Sequence, residues 1–207
     1  MLRILGRTNS INVRKVLWLC EELAVSYRRE DWGCGYRPTS DPVFRKLSPH
    51  GTVPVLVEDG FVLRESHAIL RYLAGKPEGE SLYPREPRRR ALVEQWMDWG
   101  ATDVDRHLRP LYLGGQLRLE PYFVPALLEH ATASLNQELA HLERELGARG
   151  PFLLGATFTL ADIVAGLIIN RCYQLKRARA ELPAVADYYQ RLAERPGYRR
   201  YGCNGLA

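Results

Sequence analysis

Long apolar runs, metal-ligand spacings and a disulfide framework are all missing from this 207-residue chain. No segment approaches the ~20 apolar residues that a membrane span requires, and the opening M-L-R-I-L-G-R is too short for a signal peptide. The four cysteines are widely separated and form no C-x-x-C pair, which argues against a metal site and against structural disulfides. We therefore expect a cytoplasmic protein without a membrane partner.

A strongly basic segment is also missing, although the net charge is +5. The 29 basic and 24 acidic residues are spread along the chain. The densest cluster, the three arginines at 88–90, is flanked by Glu86 and Glu94, so a solvated helix start explains it better than a nucleic-acid contact. We expect no nucleic-acid partner, and a modestly basic surface suits an anionic small ligand.

The first 76 residues alternate between strand and helix patterns. Short apolar runs at 2–5, 25–29, 53–57 and 61–63 indicate strands, and Asp59-Gly60 between the last two is a hairpin signal. Helical patterns begin at Val13, span residues 42–47 and begin again at Ser66. The order β-α-β-α-β-β-α predicts a small α/β unit with a parallel first strand pair and antiparallel closing strands.

The rest of the chain has a different pattern. Residues 77–87 are rich in glycine and proline and indicate a linker. Helical patterns at 86–112, 121–145, 160–173 and 182–194 then predict an all-α unit. Thr159 and Asp162 have the spacing of a capping box, and helix 160–173 is apolar nearly all round, so we place it at the centre of that unit. The predicted domains are 1–76 and 88–207.

Two positions in the α/β unit have special backbone roles. Pro54 cannot donate to a sheet ladder, so it belongs at a strand start, an edge or a cis turn. Ser66 lies where a helix begins, and it can cap that helix or bind an anion together with the free N–H groups there. Ser10 and Asn12 are possible caps for the first helix.

Three motifs, in this order, carry a family resemblance. They are S-P-H-G-T-V-P-V-L at 48–56, E-S-H-A-I at 65–69 and G-x-x-F-T-L-A-D-I at 155–163. Together they resemble the cytosolic glutathione S-transferases, and the opening R-T-N-S-I-N-V-R-K-V resembles the bacterial theta-like or nu-like members. The resemblance covers essentially the whole chain. It implies a thioredoxin-like N-terminal domain, an all-helical C-terminal domain, a homodimer, and glutathione as co-substrate without a further cofactor.

The resemblance assigns glutathione-binding roles residue by residue. Val53-Pro54 matches the family's cis-proline element, where the residue before proline pairs with the cysteinyl backbone. Glu65 and Ser66 match the pair that holds the γ-glutamyl group. Thr52 stands where many relatives carry a basic or amide residue near the glycyl carboxylate, so we expect His50 or Arg37 to compensate.

Catalysis in this family requires an ionised thiol, which in the free state has a pKa of roughly 8.5. Ser10 matches the catalytic serine of theta-like members, and Asn12 matches the asparagine of nu-like members. We rank Ser10 first and Asn12 close behind, with Thr8 and Asn9 as weaker alternatives. Without the family context, capping would be the default role for Ser10 or Asn12.

The electrophile pocket is expected between the domains. An aromatic stripe at helical spacing is more often core than site, so these candidates are weaker. They are Trp32, Tyr36, Trp99, Arg106, Arg109 and Tyr112. The implied reaction is conjugation of glutathione to small hydrophobic electrophiles. The alternatives are a glutathione-dependent disulfide reductase or peroxidase of the nu-like type, and a non-catalytic binding protein with the same fold.

Overall fold

A computed structural model describes residues 1–175 and 180–205. The N-terminal unit has the predicted order of elements, which are β1 (Leu2–Leu5), α1 (Ile11–Glu22), β2 (Arg28–Glu30), α2 (Pro42–Leu47), β3 (Val55–Glu58), β4 (Phe61–Arg64) and α3 (Ser66–Ala74). The sheet order is β2-β1-β3-β4. The β1–β2 pair is parallel and the other two pairs are antiparallel, so the predicted topology is confirmed.

Two local predictions in this unit are wrong. Strand β2 begins at Arg28 rather than at residue 25, because the chain is still closing the end of α1: Ala24 has a φ of 49° and the Val25 N–H donates to the Cys20 carbonyl at 2.8 Å. The N-cap of α3 is Glu65, and Ser66 is the first helical residue.

The C-terminal unit is entirely helical in its described part. Its α-helices are α4 (Pro87–Trp99), α5 (Asp105–Pro110), α6 (Pro125–Arg149), α7 (Leu160–Gln174), α8 (Pro183–Ala193) and α9 (Pro196–Tyr201). The single helix predicted over 86–112 is divided, because π-helical turns at Gly100–Val104 and Leu111–Gln116 follow α4 and α5. The fold class, a thioredoxin-like α/β domain plus an all-α domain, is confirmed. The domain limits 1–76, 77–87 and 88–207 stay predictions, and residues 176–179 and 206–207 lie outside the described residues.

Helix α1 lies between the two units and is buried on both sides. Trp18 is fully buried, with its ring centroid 5.7 Å from that of Phe158 and 4.8 Å from that of Tyr198. Gly197 makes this approach possible, because a Cβ there would lie 2.4 Å from Trp18 Cδ1. Most buried residues of both units form one continuous apolar cluster through α1, and a smaller second cluster lies on the other face of the sheet, around Trp32 and Phe44. The N-terminal end of α1 is thereby fixed at the boundary between sheet and helices.

Helix α7 is buried over most of its length, as predicted. Its capping box is present, and the Asp162 carboxylate also accepts the Leu153 N–H at 3.0 Å and the Tyr188 hydroxyl at 2.8 Å. Burial raises the pKa of Asp162 to about 6, although these hydrogen bonds act in the opposite direction. One side chain therefore joins three segments of the helical unit. Within the described ranges, no helix is long and apolar enough to cross a membrane.

Replacing Asp162 tests this junction. We expect Asp162→Ala to lower the free energy of unfolding by about 3 kcal/mol, because it leaves several buried donors without an acceptor. Urea denaturation followed by circular dichroism measures the change. Asp187→Ala, at an exposed position of α8, is the matched control and should stay close to wild type. Equal effects of the two substitutions would contradict the role given to Asp162.

Candidate active site

A cleft runs between the N-terminal unit and the α4–α5 region of the helical unit. It has two adjoining compartments. The first compartment (about 390 Å³) has Pro54, Glu65 and Ser66 in its lining, and the second compartment (about 340 Å³) has Arg7, Ser10 and Tyr112. The residues that line both compartments are Asn12, Thr52, Val53, Asp105 and Arg109. These shared residues mark the junction of the two spaces.

One wall of the first compartment is the segment before β3. The Val53–Pro54 peptide bond is cis, and the sheet ladder begins only at Val55, so the backbone of Val53 is not used by the β1–β3 pair. The buried Ser48 hydroxyl donates to the Thr52 carbonyl at 3.1 Å and accepts the Thr52 N–H at 3.3 Å. The segment is thus held rigidly by its own neighbours and presents backbone to the cleft.

The start of α3 forms another wall of the first compartment. Glu65 has a φ of 66°, a conformation that non-glycine residues adopt rarely and mostly where function requires it. Ser66 follows and is 7% exposed. The first N–H groups of a helix have no intrahelical acceptor and lie at its positive dipole end, so this wall suits a carboxylate.

Ser10 and Asn12 project from the start of α1. Ser10 is the N-cap residue, but its side chain makes no capping hydrogen bond, so capping does not occupy its hydroxyl. Ser10 lines the second compartment, whereas Asn12 lines both. Of the weaker alternatives, Asn9 lines the second compartment and Thr8 lines neither.

Lys15 lies beneath Asn12, one turn further along α1. Its side chain is 6% exposed, and its Nζ lies 3.2 Å from Asn12 Oδ1 and 3.0 Å from His67 Nε2. An ammonium only donates, so the Asn12 oxygen must face Lys15 and the Asn12 NH₂ group must point the other way. Lys15 therefore fixes Asn12 as a hydrogen-bond donor.

Charged residues of two other helices, α5 and α7, act on Lys15. Burial lowers the pKa of Lys15 to about 8; the Asp105 carboxylate raises it and the Arg171 guanidinium lowers it further. Burial, together with the charges of Lys15 and Arg71, lowers the pKa of His67 to about 2, so His67 is neutral and accepts from Lys15. No carboxylate in the described part of the chain forms an ion pair with Lys15. A buried cation without an ion pair, lining the first compartment, favours an anion there.

Two of the six electrophile candidates line the cleft, namely Arg109 in both compartments and Tyr112 in the second. The other four lie outside it, which corrects the expectation for them. Trp32 is buried against Phe44 beneath the sheet, and Tyr36 is on the surface. Trp99 packs on Trp96 and donates to Glu138, and Arg106 is exposed and paired with Asp103.

The two residues expected to compensate for Thr52 do not reach the cleft either. Arg37 stacks on the Trp32 ring, with its guanidinium carbon 3.8 Å from the ring centroid. His50 is exposed in the turn before β3 and lines neither compartment. Thr52 itself lines both compartments, and neither of the two predicted basic residues lies beside it in the cleft.

Six charged residues of the cleft were missed by the sequence reasoning: Arg7, Lys15, Arg71, Asp98, Asp105 and Arg171. Two of them carried a signal. Lys15 is a charge within the apolar stripe of the first helix, and Arg171 is a charge in the helix that is otherwise apolar nearly all round. The exposed Asp105 gave no such signal.

Comparison with known proteins agrees with this geometry. Residues 6–81 match the model of the glutathione S-transferase N-terminal domain, and residues 125–191 match that of the C-terminal domain. Glutathione S-transferase GstB of Escherichia coli is 31% identical over 202 residues, which is 97% of this chain and 97% of that protein.

The chain belongs to the glutathione S-transferase family. The enzyme class predicted from the sequence, a transferase, is confirmed. Among solved structures, the theta-class glutathione S-transferase from Xanthomonas axonopodis pv. citri with glutathione bound has a TM-score of 0.90 and 36% identity, covering 100% of this chain and 99% of that one.

This glutathione transferase is also similar to elongation factor 1-gamma 3 of Oryza sativa. The identity is 36% over 165 residues, but the match spans 77% of this chain and 38% of that protein. The likeness therefore concerns one part of the elongation factor. The comparisons do not favour either alternative, the disulfide reductase or the non-catalytic binding protein. No group of side chains that could hold a metal ion is found among the described residues.

Lys15→Met tests the buried ammonium. Removing an unpaired buried charge should raise the free energy of unfolding of the ligand-free transferase by roughly 1–3 kcal/mol. It should also lower kcat/KM near neutral pH by about 10-fold, because Asn12 is no longer fixed as a donor. Urea denaturation and steady-state conjugation rates measure the two effects.

The lowered pKa of Lys15 predicts how the free energy of unfolding changes with pH. The folded-state pKa of about 8 lies below the ordinary value of 10.5, so the unfolded chain binds more protons between these values. Wild-type stability should therefore gain from this group as pH rises through that window, and Lys15→Met should lose the gain. Lys46→Met, at an exposed position of α2, should leave activity and the pH profile unchanged. Lower stability together with full activity in Lys15→Met would contradict this role.

Proposed function

We propose that this transferase binds glutathione in the first compartment and conjugates its thiolate to a small electrophile in the second. The observation that carries the proposal is the facing pair of walls in the first compartment: the Thr52–Pro54 backbone on one side and the Glu65–Ser66 helix start on the other. A tripeptide needs backbone partners along its length and a charged partner at its end, and these walls offer both.

The γ-glutamyl end is placed at the start of α3. Its carboxylate accepts hydrogen bonds from the Ser66 hydroxyl and the first N–H groups of the helix. Its ammonium pairs with the Glu65 carboxylate, which is exposed and lines the same compartment. The cysteinyl backbone pairs with Val53, beside Pro54. This placement directs the sulfur toward the junction that Asn12, Val53 and Thr52 share.

Two donors approach the sulfur there, Asn12 at the junction and Ser10 from the second compartment. Asn12 presents an NH₂ group whose direction is set by Lys15, and Ser10 presents a hydroxyl that is not used as a cap. Each stabilises the thiolate more than the thiol, which lowers the thiol pKa toward neutral pH. The sequence analysis favoured Ser10 over Asn12 as the residue that stabilises the thiolate. The fixed orientation of Asn12 and its place at the junction support an equal role for Asn12.

We also propose that the protein forms a homodimer and lies in the cytoplasm. Apolar side chains are exposed on the N-terminal unit at Phe61 (47%) and on the helical unit at Leu92 (46%). Covering them in a two-fold homodimer fits the family resemblance, in which the N-terminal domain of one subunit meets the helical domain of the other. Light scattering after gel filtration tests this assembly. A cytoplasmic location is proposed on the family resemblance alone.

Substitutions at Ser10 and Asn12 test the thiol-activating role. We expect Ser10→Ala and Asn12→Ala each to lower kcat/KM for a chloronitrobenzene by about 10- to 100-fold near neutral pH, since each removes a donor to the developing charge. The loss should shrink as pH rises, because free thiolate then becomes abundant. Conjugation rates measured across pH give the result.

Binding of glutathione separates activation from recognition. In isothermal calorimetry both variants should bind glutathione nearly as wild type does, whereas Ser66→Ala should bind it more weakly by about 10-fold. If wild type bound no glutathione, the proposed function would be wrong. If one of the two donor variants kept full activity, that residue would not be a donor to the sulfur.

A further inference from the structure

The second compartment has an unusual charge balance. Its lining includes three arginines from three different segments: Arg7 after β1, Arg109 on α5 and Arg171 on α7. The carboxylate among its lining residues is Asp105, which is exposed. Three cations against one anion leave a space of about 340 Å³ with a net positive lining.

Arg7 is the least satisfied of these groups. Its Nε and Nη1 atoms are buried and have no hydrogen-bond partner within the described part of the chain. The side chain is held against Gly33, where a Cβ would lie 3.3 Å from Arg7 Cδ. The backbone N–H of Arg7 donates to the Trp32 carbonyl at 3.1 Å, which fixes the backbone of Arg7. Buried guanidinium nitrogens without acceptors leave the charge of Arg7 uncompensated, and an anion in the compartment that Arg7 lines would compensate it.

The other two arginines add charge from the opposite wall. Arg171 is 7% exposed, and its guanidinium carbon lies 4.2 Å from the centroid of the Tyr112 ring. Arg109 is exposed toward the cleft, and no carboxylate of the described residues forms an ion pair with it. The wall therefore offers a buried cation stacked on an aromatic ring and a second, exposed one.

Apolar surface completes the compartment. Ile11, Leu113 and the Tyr112 ring contribute carbon to its lining. Space of this kind accepts a small carbon framework, while the arginines accept one planar anionic group.

We propose that the second compartment selects electrophiles that carry a carboxylate, which Arg7 and Arg109 bind while the halogen-bearing carbon faces the junction at Asn12. This rests on the proposed function and narrows its substrate class. The thiolate forms a C–S bond to that carbon, and the C–halogen bond breaks with its electron pair leaving as halide. The thiol proton has already gone to solvent.

A second carboxylate competes for the same chemistry, namely the glycyl end of glutathione itself. Gly51 and Thr52 line the second compartment, so that end lies within reach of its lining. The experiment must therefore separate the affinity for glutathione from the preference among electrophiles.

A matched pair of electrophiles makes this test. A chloronitrobenzoate and the corresponding chloronitrobenzamide share ring, halogen and size and differ in charge. After division by their uncatalysed rates with glutathione, kcat/KM should favour the benzoate by about 10-fold or more. Arg7→Met and Arg109→Met should each lower the benzoate value by about 10-fold or more and the benzamide value by less than about 3-fold.

Arg106→Met is the control, since Arg106 is one turn before Arg109 in sequence, exposed, and outside both compartments. It should leave both rates unchanged. The KM for glutathione should also stay near wild type in Arg7→Met and Arg109→Met. A raised KM for glutathione with unchanged electrophile preference would assign the arginines to the glycyl carboxylate and overturn the proposal.

Equal corrected rates for the two electrophiles in wild type, or equal losses for both in the arginine variants, would also overturn the proposal. If neither electrophile is conjugated, the binding of the halogen-free nitrobenzoate and nitrobenzamide is compared by calorimetry. Tighter binding of the benzoate that is lost in Arg7→Met supports the proposal, and equal binding of the two overturns it. Glutathione binding by wild type, measured in the same way, shows separately whether the proposed function itself fails.

Discussion

The burial of helix α1 between the sheet and the helical unit is the constraint on which the site depends. Trp18 is enclosed by Phe158 and Tyr198, so the helix cannot shift without opening both cores. Its N-terminal turn then has one available position, at the floor of the cleft. The residues that depart from the apolar stripe there, Asn12 and Lys15, become parts of the site because the rest of the helix is so tightly packed.

Positive charge is the second organising feature of the cleft. The first compartment holds a helix start and the buried Lys15, and the second holds three arginines. Each arrangement is costly in an empty protein, and a bound anion would offset that cost. Glutathione brings two carboxylates and a thiolate, and an anionic electrophile would bring one more. We interpret the low number of carboxylates around these cations as the electrostatic basis of recognition.

Much of the fold followed from local pattern, because strand runs, the Asp59-Gly60 turn and the Thr159–Asp162 capping box are local signals. The placement of the cleft side chains did not. Trp32 and Trp99 suggested a pocket but pack elsewhere, since aromatic residues at helical spacing fill cores as readily as sites. Arg7 and Arg171 are 164 positions apart and meet only through tertiary packing, so a single sequence cannot pair them.

We propose that this cleft ionises the glutathione thiol at the junction of its two compartments. The ultraviolet absorbance of the bound thiolate, titrated across pH in the binary complex, tests it most directly. The bound thiol should titrate at least about one pH unit below the free value of roughly 8.5. A bound thiol that titrates at the same pH as free glutathione would contradict the claim.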